Sequence, residues 1–239
     1  MDDSVRLALW FAAWTRGAVS LDDARDAVVG DDAAHDVAGL PGDADVTPLI
    51  LAMGALRGLG AESAGVALPV AGDPLGLGGP AAFNAEALEA GEAVLLPGAG
   101  LGLVPVRAGA GVVWRCLPAE GVRQVPDPSE ADTTLRGVLP ATADALADLD
   151  IARWRPEVAD EVMALRRHVD LDLPPGVGAR TTRMLGLALR CRRIVDLALV
   201  DDGAAITAFE ADARRAALDP LDRAARRAVV AAVEHPWDR

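Results

Sequence analysis

The sequence predicts an α+β protein: a small, mainly antiparallel sheet over about residues 64–117, flanked by N-terminal helices and followed by a C-terminal helical bundle. Three observations predict it. Four short apolar runs, rich in Val and Leu and bounded by turn residues, stand at Ala64–Val70, Ala93–Leu96, Leu101–Val106 and Val112–Leu117. Two glycine-rich linkers, Pro97–Gly100 and Arg107–Gly111, join the last three and suit hairpin turns that need positive φ. On both sides of this stretch the apolar residues recur at helical spacing, between signals for helix starts and stops.

In chain order, Ser4–Arg16 reads as a helix whose stripe is Leu7, Trp10, Phe11 and Trp14, ended by Gly17. Ser20 is the N-cap of a second helix, with Asp22 and Asp23 favouring its dipole, and that helix runs to about Val29. Gly30–Asp45 reads as an acidic loop. A third helix has Thr47 as its cap and Pro48 at its first position, and stops at Gly58 and Gly60. Pro80–Ala90 is helical between the first and second strands, and the sparse alternation of apolar and polar residues predicts strands buried on both faces.

After the sheet, Asp127-Pro128-Ser129-Glu130 is a capping box, and the stripe Leu135, Val138, Leu139, Thr142, Leu146 and Leu149 passes straight through Pro140. A helix follows from Pro156. The longest unbroken one is Ala179–Val200, with core residues Met184, Leu187, Ala188, Cys191, Ile194, Val195 and Ala198. Ile206, Phe209 and Ala213 mark another, and Asp219-Pro220 opens the last, which ends before Pro236. This makes about five helices. The expected division is a sheet-containing domain, 1–125, and an all-helical domain, 126–239, compatible with packing as one unit.

Composition bounds the function. All 23 basic residues are Arg and no Tyr occurs, a bias that reads as high-GC bacterial coding. The net charge of −13 is uneven: residues 1–150 hold 8 Arg against 22 acids, and residues 151–239 hold 15 Arg against 14. An acidic front half excludes general binding to nucleic acid, whose phosphates need a positive surface. The longest uncharged run, Ala93–Val106, has 14 residues and two prolines, short of the roughly 20 apolar residues of a membrane span. The acidic Met1-Asp2-Asp3 start is unlike a secretory signal, and Cys116 and Cys191 read as buried free thiols of a reducing cytoplasm.

Each candidate site has a plainer structural explanation. Gly98-Ala99-Gly100-Leu101-Gly102 precedes a strand-like run where a phosphate loop would open a helix, so it reads as a hairpin turn. Asp31, Asp32, His35, Asp36, Asp43 and Asp45 could ligate a divalent cation but match no loop spacing, and read as a solvated acidic loop; no metal and no cofactor is expected. His168 and His235 sit near helix ends. Ser4, Ser20, Ser63 and Ser129 lie in no nucleophile elbow. The segment Leu68–Pro80, with Asp73, is a rigid Gly/Pro-rich crossing at the sheet edge. Arg180, Arg183, Arg190, Arg192 and Arg193 stand with no acid between Asp172 and Asp196, and the plainest partner for them is the acidic half.

The sequence therefore favours a cytoplasmic, non-enzymatic interaction or regulatory protein, with a protein partner or a second copy of itself. The alternative is a binding protein or enzyme for a small anionic ligand, held between the crossing 72–79 and the helix 179–200 by Arg183, Arg190, Arg193 and Asp73.

Overall fold

A computed structural model describes residues 1–43, 45–121, 123–148, 171–200 and 208–237. They fall into two compact units. The first holds Met1–Val125, the segment Asp172–Gly178 and the C-terminal residues from Val233; the second holds the remainder.

The first unit is built on a six-stranded sheet in the order β2-β1-β6-β5-β4-β3. Its strands are β1 (His35–Ala38), β2 (Thr47–Pro48), β3 (Gly65–Ala67), β4 (Ala93–Leu96), β5 (Leu101–Ala108) and β6 (Gly111–Pro118). The predicted runs supply β3 to β6, each antiparallel to the next. Two expectations are corrected. The sheet is mixed rather than mainly antiparallel, because β1 lies parallel to β6. The segment read as an acidic loop contributes that strand, with Val37 and His35 buried and Asp36 and Ala38 half-buried. The tip of the β5–β6 hairpin recruits it: Ala33 N–H donates to Ala110 and Val112 N–H to Ala34. Gly111 is needed there, since a Cβ would strike the Ala34 carbonyl.

Helices α1 (Asp3–Thr15), α2 (Leu21–Val29), α3 (Leu49–Gly58) and α4 (Ala81–Ala90) cover the sheet. Phe83 and Ala87 of α4 pack with Ala93, Leu95 and Val104. The intervening Val94 and Leu96 are buried as well, so β4 is covered on both faces, as its unbroken apolar run requires. Ser20 caps α2 as expected, accepting from Asp23 N–H at 3.0 Å. Thr47 does not cap α3: it belongs to β2 and its hydroxyl donates to Asp43, leaving Pro48 in the cap position without a side-chain bond. The crossing continues β3 into a tight turn, with Val70 and Asp73 exchanging backbone hydrogen bonds. The C-terminal residues join this unit through Gly178 N–H to the Pro236 carbonyl and through Arg16, whose guanidinium lies 4.4 Å from the Trp237 ring centroid.

Three helices of the second unit are described: α5 (Pro128–Asp148), α6 (Ala179–Val200) and α7 (Ala208–Glu234), the last ending in the first unit. Asp127 caps α5 by accepting from Ser129 and Glu130 N–H, and α5 continues through Pro140. α6 is described over the predicted Ala179–Val200 and its face of Met184, Ala188, Cys191, Val195 and Ala198 is buried, but with 22 residues it is not the longest helix, since α7 has 27. The two helices expected around Asp219-Pro220 are one, because α7 passes through Pro220, which is exposed. A proline removes one helical N–H, and Leu218, Leu221, Ala224 and Ala225 around it are buried enough to hold the chain helical. The helix predicted from Pro156 lies outside the described residues, as does His168.

Candidate functional site

A chain of polar side chains runs across one end of the first unit. Arg107, near the end of β5, reaches two carboxylates. Its Nη1 donates to both oxygens of Asp32, at 2.7 and 2.8 Å, and its Nη2 to Asp3 Oδ2 at 2.9 Å. Asp32 also takes His35 Nε2 at 2.9 Å. Trp114 Nε1 donates to His35 Nδ1 at 3.3 Å. An indole N–H can only donate, so Nδ1 is the acceptor and the imidazole carries its proton on Nε2, facing Asp32. Hydrogen bonds from His35, then from Arg107, hold the Asp32 carboxyl below its ordinary value, so it is anionic.

The fold dictates this arrangement. β1 and β6 run parallel with His35 opposite Val112 and Val37 opposite Trp114, which brings imidazole and indole together in the interior. The helix start at Asp3 and the loop at Asp32 then meet Arg107 at the rim, where its side chain is 59% exposed. Chemically the chain is closed. Both nitrogens of His35 are used and its side chain has no exposure, so the ring has no lone pair for a substrate proton.

Beyond Asp3 the chain meets a further carboxyl. Glu92, between α4 and β4, accepts from Ser4 N–H through Oε2 at 2.8 Å. Its burial, then the charges of Asp2 and Asp3, push it up to about 7 despite that bond.

Next to His35 a cleft of about 200 Å³ opens between α2, β1 and the start of α3, lined by Arg25, Val29, His35, Asp36, Pro48 and Ile50. Val46 and Leu51 stand on either side of the lining segment Pro48–Ile50 and are 55% and 63% exposed.

The residues singled out in the sequence fall elsewhere. Asp73 is in the turn of the crossing, in the first unit. Arg183, Arg190 and Arg193 are on α6, in the second. Arg183 and Arg193 are exposed, and half-buried Arg190 donates Nε to the carbonyl of Gly186 in its own helix. Of the acidic cluster, Asp32 and His35 join the polar chain and Asp43 accepts from Thr47 and Asp45 N–H, so these three are structural partners more than a solvated loop. Among the described residues no three or more His, Cys, Asp or Glu gather as metal ligands. Both thiols are buried, which pushes Cys116 and Cys191 up to about 11 and leaves them poor nucleophiles. No helix among the described residues is long and apolar enough to cross a membrane.

Sequence reasoning missed Arg107, Trp114, Glu92 and Arg123. The last, 9% exposed, donates to the carbonyls of Gly76 and Val66, each at 3.0 Å, and to Glu234 at 3.1 Å. The usable signal was scarcity: with 8 Arg against 22 acids in residues 1–150, a guanidinium there is a shared resource.

Two family models cover nearly all of the chain. The N-terminal domain of Rv1486c-like proteins matches residues 4–131, and the C-terminal domain matches residues 129–230. The chain belongs to the Rv1486c-like family. Two relatives from Mycobacterium tuberculosis, the uncharacterized protein Rv1486c of strain H37Rv and the uncharacterized protein MT1533 of strain CDC 1551, are each 30% identical to it over a 286-residue alignment. Each alignment covers 97% of both chains. No solved structure matches it. The family thus has bacterial members, and the names of these relatives attach no activity to it.

Proposed function

We propose that this is a non-enzymatic interaction or regulatory protein of the bacterial cytoplasm, acting through the β2–α3 edge of its first unit. The observation that carries the reading is a cleft of about 200 Å³ together with the exposure of Val46 and Leu51, which flank its lining segment Pro48–Ile50 along the chain. Small-molecule sites usually enclose roughly 300–1,000 Å³, so this cleft suits a single inserted side chain better than a substrate. Exposed large apolar residues close in the chain to its lining favour contact with another protein surface. The closed His35 chain and the two buried thiols support the same reading, since each uses up a group that catalysis would need free.

A second reading is supported by the exposed Arg183 and Arg193 on α6: an anionic ligand held by that face. Native mass spectrometry of the protein purified from its own host separates the two. The expected result is a complex with protein, or with a second copy, that Val46→Asp with Leu51→Asp dissolves. A small anion retained by the wild type, unaffected by that pair and lost in Arg183→Glu with Arg193→Glu, would overturn the first reading in favour of the second.

A further inference from the structure

We propose that the open face of β5, β6, β1 and β2 is the contact surface of a two-fold dimer, in which Asp36 of each copy pairs with Arg115 of the other. This surface stands apart from the β2–α3 edge and does not depend on that reading.

Side chains alternate between the two faces of a strand, and residues opposite one another across a strand pair share a face. The register sets Val106 beside Val113, Val113 beside Asp36 and Asp36 beside Pro48, one row across four strands. The two faces of these strands are unequal. His35, Val37, Val112 and Trp114, on the other face, are all buried. In the row, Val113 and Asp36 are half-buried, Pro48 is exposed and Val106 is 44% exposed. On the side of the row, α4 covers only the β4–β5 end of the sheet: the cluster around Phe83 and Ala87 takes in Leu95 and Val104, with Leu117 at its margin, and neither Val106 nor Val113 belongs to it.

Two charges on this face are unequally satisfied. Asp36 lies within the row, and among the described residues it makes no hydrogen bond and no ion pair. Arg115, two residues beyond Val113 on β6 and opposite Ala38, shares the face. Its Nη1 lies 2.9 Å from Glu86 Oε2, its side chain is 53% exposed, and the rest of the guanidinium has no partner among the described residues. Arg107 shows how one guanidinium serves two carboxylates, giving Nη1 to Asp32 and Nη2 to Asp3. Arg115 has the second of those positions open, and Asp36 lacks a cation.

A second copy supplies both. A two-fold axis lying between two such faces, midway between Asp36 and Arg115, sets each of them over its opposite in the other copy, so the pair forms twice. The same contact covers Val106, Val113 and Pro48. A carboxylate half-withdrawn from water among valines gains from a cation brought to it. Another protein would need to carry that cation in register with the row. This chain already does, which is what selects a second copy of it.

Sedimentation velocity of the full-length protein tests this at about 100 µM, where a micromolar complex is saturated. The wild type should sediment as a dimer. Asp36→Arg alone and Arg115→Asp alone each set like charges face to face twice over, and each should give a folded monomer. Mixed in equal amounts, the two variants restore both opposite-charge pairs, and the dimer should return. A monomeric wild type, single variants that dimerise like the wild type, or a mixture that stays monomeric would overturn the proposal. Should either variant not fold, Val106→Asp takes its place: a monomer upholds the surface, and an unchanged dimer sinks it. A dimer kept by both charge variants and lost in Val46→Asp with Leu51→Asp would also sink it, while leaving the β2–α3 edge as the place of contact.

Discussion

Two arginines of the first unit hold it together in opposite ways. Arg107 works at the rim: its side chain is more than half exposed, and it binds two carboxylates and no carbonyl. Arg123 works in the interior: it is 9% exposed and splits its donors between two backbone carbonyls and one carboxylate. The difference teaches where an arginine matters energetically. An exposed ion pair is screened by water and salt and contributes little. A buried guanidinium has given up its water, so every N–H it uses is indispensable, and removing it strands partners that cannot turn to solvent.

The comparison can be broken most decisively at Arg123. Arg123→Met keeps much of the volume and leaves the Val66 and Gly76 carbonyls and the Glu234 carboxylate without their donor; we expect a loss of about 3 kcal/mol in urea unfolding, insensitive to added salt. A loss below about 1 kcal/mol would mean that water replaces the guanidinium freely.

Gly76 tests the same clamp from its backbone side. Its φ is +80°, and a Cβ would lie 2.7 Å from the Val66 carbonyl and 2.8 Å from the Ala67 Cα. Gly76→Ala should cost about 2 kcal/mol, seen as a lower melting temperature. A melting temperature equal to that of the wild type would show that the crossing shifts without penalty.

At the other end, Trp114→Phe keeps the packing and deletes one N–H. His35 Nδ1 is then buried without its donor, a cost of about 1–2 kcal/mol in urea unfolding. No loss would mean that the 3.3 Å contact contributes no net hydrogen bond.

The smallest effect belongs to Arg107→Ala, about 1 kcal/mol or less at low salt and shrinking as salt is added. If this variant instead matched Arg123→Met in size and in indifference to salt, exposure would not be what separates the two.

How far the fold was legible depended on range. The meander was readable because the turns between β4, β5 and β6 are local and their glycines take up backbone conformations other residues avoid, as Gly100 at φ +65° does. α6 was readable because an apolar face needs a period of 3.6 wherever it packs. β1 was not readable. Four residues, His-Asp-Val-Ala, carry too little pattern, and their pairing partner lies some 75 residues later. The helix start placed at Asp219-Pro220 was misplaced for a related reason: local chemistry marks a proline as a helix start, but burial of its neighbours decides whether the helix breaks.

The candidate site was legible only as a list of residue types. Asp32 and His35 stood out in the sequence, but as members of an acidic loop. By itself the sequence determined the strands of the meander, the caps at Ser20 and Asp127, the buried face of α6 and the uneven charge. Each of these is set by residues a few positions apart. Tertiary structure decided that His35 faces a tryptophan, that Arg107 is shared by Asp3 and Asp32, that Glu92 caps a helix from 88 residues away, and that Arg123 closes the crossing. The physical reason is common to all four. A buried polar group must find a partner, but its energy depends on distance in space and is indifferent to separation along the chain.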